Sequence, residues 1–345
     1  MTKKRALVYA LIGTLLAILV YAQFRTWRNF NWAVFRAQTD HVFSAHGLIH
    51  IFGGIAYTYL AYGLRALRWR IFLRPVKKTT SSKLLAPTII GFTGLALLGR
   101  PGEMIRPYLI ARKEGLSFSS QLAVWTVERI FDFGAFALLL ITAIFASSSV
   151  KNLNYYYQFR KAGLLLIVVV AGLALAAAII RMKGELVAAW VEHGFGGHAS
   201  GLGHKIGARV REFRGGLNTI HGGSELVQLV LVSLTIWYVI ALAYQQVTAS
   251  YSTALLHLPV SQVLLLMFAS MVGSLVQLPG VGGGSQLATI STLQHVFRAP
   301  PELAVSCGIL LWMVTFMTVI PLGLGLAHRE RLSIRGLSKE SAAQE

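Results

Sequence analysis

Residues 84–113 read LLAPTIIGFTGLALLGRPGEMIRPYLIARK, an apolar run that breaks at Gly99-Arg100-Pro101-Gly102 and resumes as a shorter helix-like stretch over 103–113. Residues 259–297 follow the same plan: apolar to 278, broken by Pro279-Gly280-Val281-Gly282-Gly283-Gly284, then resumed over 285–297. Neither second limb has the roughly 20 residues that one bilayer crossing needs. Each pair therefore reads as a re-entrant helical hairpin, which returns to the side it came from. Around them lie six longer apolar segments, 6–22, 47–64, 119–145, 162–180, 226–248 and 301–327, each able to span. The expected fold class is an all-α integral membrane protein: one polytopic domain over 1–345, with about six transmembrane helices and two re-entrant hairpins.

Composition excludes a soluble domain, since 55% of residues are hydrophobic and only 13% charged, about half the share usual in soluble proteins. The net charge of +19 would suggest nucleic acid in a soluble chain, but in a membrane protein it sets orientation. With the N-terminus inside, the expected cytoplasmic pieces (1–5, 65–83, 112–118, 181–225 and 328–345) carry 22 Lys and Arg, against 7 in the outer pieces. That bias predicts both termini in the cytoplasm. The basic start and apolar run of residues 1–22 resemble a signal peptide. The run is longer than a usual signal core, and its loss would leave an odd number of crossings, so it is expected to stay as a span.

In this topology the first hairpin enters from the cytoplasm and the second from outside. That is the inverted-repeat plan of many transporters, whose broken helices meet at the substrate site. The long span after each hairpin begins similarly, with Gln121-Leu122-Ala123-Val124 and Glu302-Leu303-Ala304-Val305. Between the repeats, the cytoplasmic segment 203–220 places Ile206, Val210, Phe213, Leu217 and Ile220 at helical spacing, with Lys205, Arg209, Arg211 and Arg214 on other faces. This is the pattern of a helix lying on an anionic leaflet. Trp27, Trp32, Trp69, Trp237 and Tyr155-Tyr156-Tyr157 are read as an interfacial aromatic belt.

Charges at membrane depth are costly and rare, so they are candidates for function. Glu103 and Arg106 open the helix after the first break, with Arg100 just before it. Glu128, Arg129 and Asp132 lie in the span 119–145, Glu128 roughly 13 Å in at 1.5 Å per residue, with both carboxylates on one face. Two readings stand: these groups hold a substrate, or they pair only with one another, Glu103 with Arg106 or Arg129. Gly102, Gly280, Gly282, Gly283, Gly284 and Ser285 have the same ambiguity. Exposed backbone amides at helix starts suit an anion, while glycine also serves close helix packing.

No cofactor or metal is expected. The glycine run lacks the P-loop lysine, His193, His198 and His204 lack zinc-site spacing, and the lone Cys307 excludes both an intrachain disulfide and a thiolate cluster.

Gly99-Arg100-Pro101-Gly102-Glu103-Met104-Ile105-Arg106, then Ala111-Arg112-Lys113 and Val127-Glu128-Arg129-Ile130-Phe131-Asp132, resembles the signature of the lysylphosphatidylglycerol synthase transmembrane-region family. Leu278-Pro279-Gly280-Val281-Gly282-Gly283-Gly284 with Pro300-Pro301-Glu302-Leu303-Ala304 resembles its second motif. The family includes the flippase domain of the bacterial multiple peptide resistance factor, so the resemblance implies a lipid flippase-like domain of a bacterial inner membrane, and enzymatic activity is not expected. This chain departs from the pattern at Ser285-Gln286, where family members often carry an acidic residue. A soluble aminoacyl-transferase domain is not expected.

The function expected is translocation of a lipid with a phosphate-bearing or aminoacylated headgroup. Arg100, Arg106 and Arg129 would hold an anionic phosphate, while Glu103, Glu128 and Asp132 would balance their charge and could attract a headgroup amine or carry a coupling proton. Membrane lipids are the expected partners, with no nucleic acid and with homo-oligomerisation open. A membrane-embedded lipid transferase or a non-catalytic subunit of a synthase are the rivals.

Overall fold

In a computed structural model, residues 30–194, 206–208, 210, 211, 214, 222–274 and 283–330 are described, and among them every regular element is helical. Helix α1 (Trp32–Val42) starts at Asn31, whose side chain accepts from the amides of Ala33 and Val34. Helix α2 (Ala45–Leu73) starts at Ser44, whose side chain accepts from the Gly47 amide, so a side chain supplies a partner that the first turn lacks. Then come α3 (Ser81–Leu98), a 3-10 turn (Arg100–Met104), α4 (Ile105–Glu114), α5 (Phe118–Ala146), α6 (Tyr156–Gly194) and α7 (Gly223–Ala249). The chain continues through α8 (Val260–Gly273), α9 (Gly283–His295) and α10 (Pro301–Arg329), the last with a π-helical turn at Met313–Met317.

Six of these helices are long and apolar enough to cross a membrane: α2, α3, α5, the first part of α6, α7 and α10. With every regular element helical among the described residues, the chain is an all-α, multi-pass integral membrane protein. The expected span 6–22 lies outside the described residues. Helix α3 starts three residues before the predicted limb, and its 18 residues suffice for a crossing by length alone.

Side-chain bonds fix the direction of the central pair. His50 meets Gln246 at 2.6 Å, Arg68 reaches Ser233 at 2.9 Å and Arg74 reaches Gln228 at 2.8 Å, so α2 and α7 run antiparallel. Chain ends then sort to two poles. Lys77 bonds to the Glu114 carbonyl, which brings both feet of the α3–α4 hairpin to the pole where α2 finishes. Ser147 bonds to Ser261 at 2.9 Å, and the Asn31 amide to Glu302 at 3.0 Å, which places the foot of the α8–α9 hairpin at the opposite pole. The two hairpins therefore enter the bundle from opposite ends.

Glycine sets how tightly each hairpin closes. A Cβ on Gly91 would overlap the Arg106 side chain, one on Gly102 would overlap the Gly94 carbonyl, and one on Gly273 would overlap the Gly284 carbonyl. The limbs touch backbone to backbone, the close approach that small residues permit in membrane helices. Gly284 and Gly102 thus serve packing whatever else they do.

Span 162–180 belongs to the 39-residue α6, which runs on past a kink at Lys183. Of the segment 203–220, Arg211 pairs with Glu192 at 2.7 Å and with Glu185 at 3.1 Å, and Arg214 pairs with Glu185 at 2.7 Å. These two arginines hold the end of α6. Lys205 and Arg209 lie outside the described residues.

Gly102→Ala should open the first hairpin by forcing its backbone away from Gly94. Such overpacking costs about 1–3 kcal/mol or more, a fall read as a lower melting temperature in detergent. Gly172→Ala, where nothing lies within 4 Å of the added carbon, should show no fall.

Candidate functional site

Four helices meet around two carboxylates. Glu128 and Asp132 are four apart on α5, so both project from one face, and they are 0% and 3% exposed. Glu128 accepts from Arg68 at 2.6 Å and from both terminal nitrogens of Arg106. Asp132 binds Arg68 at 2.8 Å, Arg129 at 3.0 Å and Arg65 at 3.4 Å, and it accepts from the Trp237 indole at 3.2 Å. Arg129 also reaches Glu128 at 3.5 Å. The cluster joins α2, α4, α5 and α7.

Aromatic rings complete the enclosure. The Arg106 guanidinium lies 4.5 Å from the Trp69 ring centre, Arg65 lies 5.1 Å from that of Phe92, and Arg129 lies 5.7 Å from that of Trp125. Ring faces carry partial negative charge and exclude water, which suits cations that carboxylates only partly neutralise.

The structure corrects several expectations. Arg65 and Arg68 were assigned to a cytoplasmic piece, yet α2 continues to Leu73 and buries both against the α5 carboxylates. Trp69 and Trp237 were assigned to the interfacial belt. Trp69 is fully buried and bonds Gln121 at 3.0 Å, and Trp237 serves Asp132. The internal pairing expected for Glu103 with Arg106 does not form, because Arg106 is committed to Glu128. A signal for the missed arginines was present in Tyr62, Ala66, Trp69 and Phe72, apolar residues that share their helical face.

Glu103, partly buried on the 3-10 turn, is near enough to Arg129 to act on its charge, as the second pairing expected for it requires, and it lies at a junction of spaces. It lines a chamber of about 240 Å³ together with Tyr244, Ser270, Ser285, Thr289 and Trp312. It also lines a groove of about 680 Å³ with Arg100, Arg129, Phe133, Leu166 and Phe268, and a small crevice of about 20 Å³ with Arg106 and Arg129. Arg100 is exposed, and the Arg129 side chain is one-third exposed, so both present charge to the groove. Arg106, by contrast, is 4% exposed.

Of the second motif, Ser285 lines the chamber, Gly283 has φ of 53°, a left-handed conformation that favours glycine, and Gly284 packs on Gly273. Gly280 and Gly282 lie outside the described residues.

A family model described as the lysylphosphatidylglycerol synthase TM region matches residues 6–323, nearly the whole chain. The chain belongs to that family. It matches no curated protein and no solved structure. The family assignment makes this a membrane-embedded domain of a lipid-linked family, and the matched residues include both hairpins and the whole arginine–carboxylate cluster.

Arg68 is wholly buried and bonds to both carboxylates, so Arg68→Gln leaves them short of a counter-charge. Removing one partner of a buried pair costs about 3–5 kcal/mol, which thermal unfolding in detergent would register as a large fall. Arg129→Gln, at the exposed edge of the cluster, should cost clearly less.

Proposed function

We propose that this chain translocates a phosphate-bearing lipid, its headgroup moving along the polar side of the 680 Å³ groove while its acyl chains lie against the apolar side. The observation that carries this reading is the mixed lining of that groove, where Arg100, Arg129 and Glu103 stand together with Phe133, Phe136, Leu166 and Phe268. Such a surface matches an amphipathic molecule with a compact anion at one end.

Charge supports the sign of the cargo. Among the described residues, the groove lining is richer in basic than in acidic side chains, with Arg100 and Arg129 against Glu103, and this local surplus suits an anion. A phosphate offsets that surplus, and Arg is suited to it because its planar fork matches phosphate oxygens. Arg100 and Arg129 are the proposed phosphate contacts. Arg106, Glu128 and Asp132 act as positioning residues that hold Arg129 and the first hairpin. Gly280, Gly282, Gly283 and Ser285 remain candidates for the second hairpin's share of the path, with backbone amides as donors.

The same reading takes both hairpins as re-entrant, related as an inverted repeat, with their tips meeting near the midplane. It places the protein in the bacterial inner membrane with both termini cytoplasmic. Opposed entry of the hairpins and the distribution of basic residues, 20 to 7 once Arg65 and Arg68 are set with the buried cluster, support this arrangement.

In proteoliposomes holding only the purified chain, a headgroup-labelled phospholipid should become accessible to a membrane-impermeant quencher faster than in protein-free vesicles. Arg129→Gln and Arg100→Gln should each lower that rate at least tenfold while the protein stays monodisperse. Wild-type rates in both variants would remove the groove from the path. For topology, Leu98→Cys and Ser274→Cys in a Cys307→Ser background should react slowly with impermeant thiol reagents from either side. Fast labelling of either from the face opposite its hairpin's foot would sink the re-entrant arrangement.

A further inference from the structure

The far end of α6 carries apolar surface that the bundle does not cover. From Tyr156 to Met182 the helix is about 40 Å long at 1.5 Å per residue, close to the depth of a bilayer with its headgroups. Tyr155 and Tyr157 set one end at headgroup level, both exposed, with the Lys161 ammonium 4.5 Å from the Tyr157 ring centre. At Lys183, where that length reaches the other headgroup layer, the backbone leaves helical geometry, with φ of −127° and ψ of 25°. Helix then resumes to Gly194, beyond the hydrocarbon core.

This outer stretch has two unlike faces. One packs on the described part of segment 203–220: a Cβ on Gly184 would overlap the Arg214 side chain, Ala188 is fully buried, and Glu192 pairs with Arg211 at 2.7 Å. The other carries Met182, Leu186 and Trp190, four residues apart and therefore in one stripe. They are 78%, 67% and 76% exposed, so nothing among the described residues covers them. Arg211 and Arg214 are committed to α6, and it is α6 that presents the apolar face.

We infer that the end of α6 beyond Lys183 is a docking site for an anionic lipid leaflet, with Met182, Leu186 and Trp190 seated at the boundary of headgroups and acyl chains. Three observations select lipid as the occupant. The stripe continues from a membrane span, so the leaflet is the apolar phase within reach of one kink. Residues 181–214 carry six Lys and Arg against three Glu, and Lys183 is exposed beside the stripe, which complements anionic headgroups. Three side chains offer on the order of a few hundred Å², whereas a specific protein interface buries roughly 1,000 Å² or more. The leaflet contact expected of segment 203–220 thus passes to the helix on which that segment packs. It concerns how the chain sits on the membrane surface and stands independently of what the chain moves.

The test uses the full chain in a Cys307→Ser background, with His193→Cys carrying an environment-sensitive fluorophore. His193 is exposed and lies seven residues from Leu186, on the same face, without belonging to the stripe. Nanodiscs of phosphatidylcholine alone are compared with discs in which about a quarter of the lipid is phosphatidylglycerol. In the anionic discs, quenching by a doxyl group on a shallow acyl carbon should be about twofold stronger or more, and quenching by aqueous iodide weaker by a similar factor. Leu186→Glu with Trp190→Glu should abolish both changes, whereas Trp190→Phe should keep them. Both positions are exposed, so an unchanged melting temperature in detergent is expected of the double variant. Should it fail to fold, the comparison of the two disc compositions with the wild-type stripe still decides. Equal quenching in both compositions, or a double variant that folds and behaves as the wild-type stripe does, would overturn the docking site. Protection from both quenchers would mean that protein covers the stripe, and would overturn it equally.

Discussion

Two carboxylates buried among arginines hold this bundle together. A charge taken out of water costs several kcal/mol even after the protein relaxes, and that cost is offset only where partners are close and well directed. Glu128 and Asp132 meet the condition by drawing Arg65 and Arg68 from α2, Arg106 from the first hairpin and the Trp237 indole from α7. Helix α2, the first hairpin and α5 follow one another through short links, while α7 comes from the other half of the chain. The cluster therefore fixes the first hairpin against the central antiparallel pair with a specificity that apolar contacts, which are non-directional, do not supply.

Apolar packing has a different part. One buried cluster gathers Leu140, Ile144, Val150, Tyr251, Leu264 and Cys307 near the pole where the second hairpin has its foot. A second gathers Trp69, Phe72, Leu84, Ile110 and Val127 near the other. Glycine at Gly91, Gly94 and Gly273 then lets backbones meet inside the hairpins themselves. The result leaves space between the described ends of the hairpin limbs, and that space has two characters, hydroxyl-lined on one side of Glu103 and mixed charged and apolar on the other.

How much of this was legible in the sequence follows from what periodicity and hydropathy can report. Spans 47–64, 119–145, 226–248 and 301–327 all fall inside helices, because uncharged apolar length is a direct property of the sequence. The first glycine-rich break falls at the turn between α3 and α4, whereas most of the second lies outside the described residues. Arg65 and Arg68 were lost because a charge at the end of an apolar run ends the span by hydropathy, whereas the fold supplies counter-charges from a helix some 60 residues away. The same logic misplaced Trp69 and Trp237, whose indole donors answer buried acceptors rather than headgroups. Glu128, Arg129 and Asp132 were found as a group, since spacing of three and four places them on one face. Their partners could not be read, because pairing across helices is set by tertiary contacts alone.

Glu103 forms part of the wall of the chamber, the groove and the crevice alike. A side chain shared in this way cannot change rotamer for one space without reshaping the others. Anything that draws it toward the chamber withdraws it from the groove, so occupation of the two spaces is thermodynamically linked, and the linkage is reciprocal. A single carboxylate on a short 3-10 turn, not a long-range movement of helices, is then enough to make one half of a bound molecule sense the other.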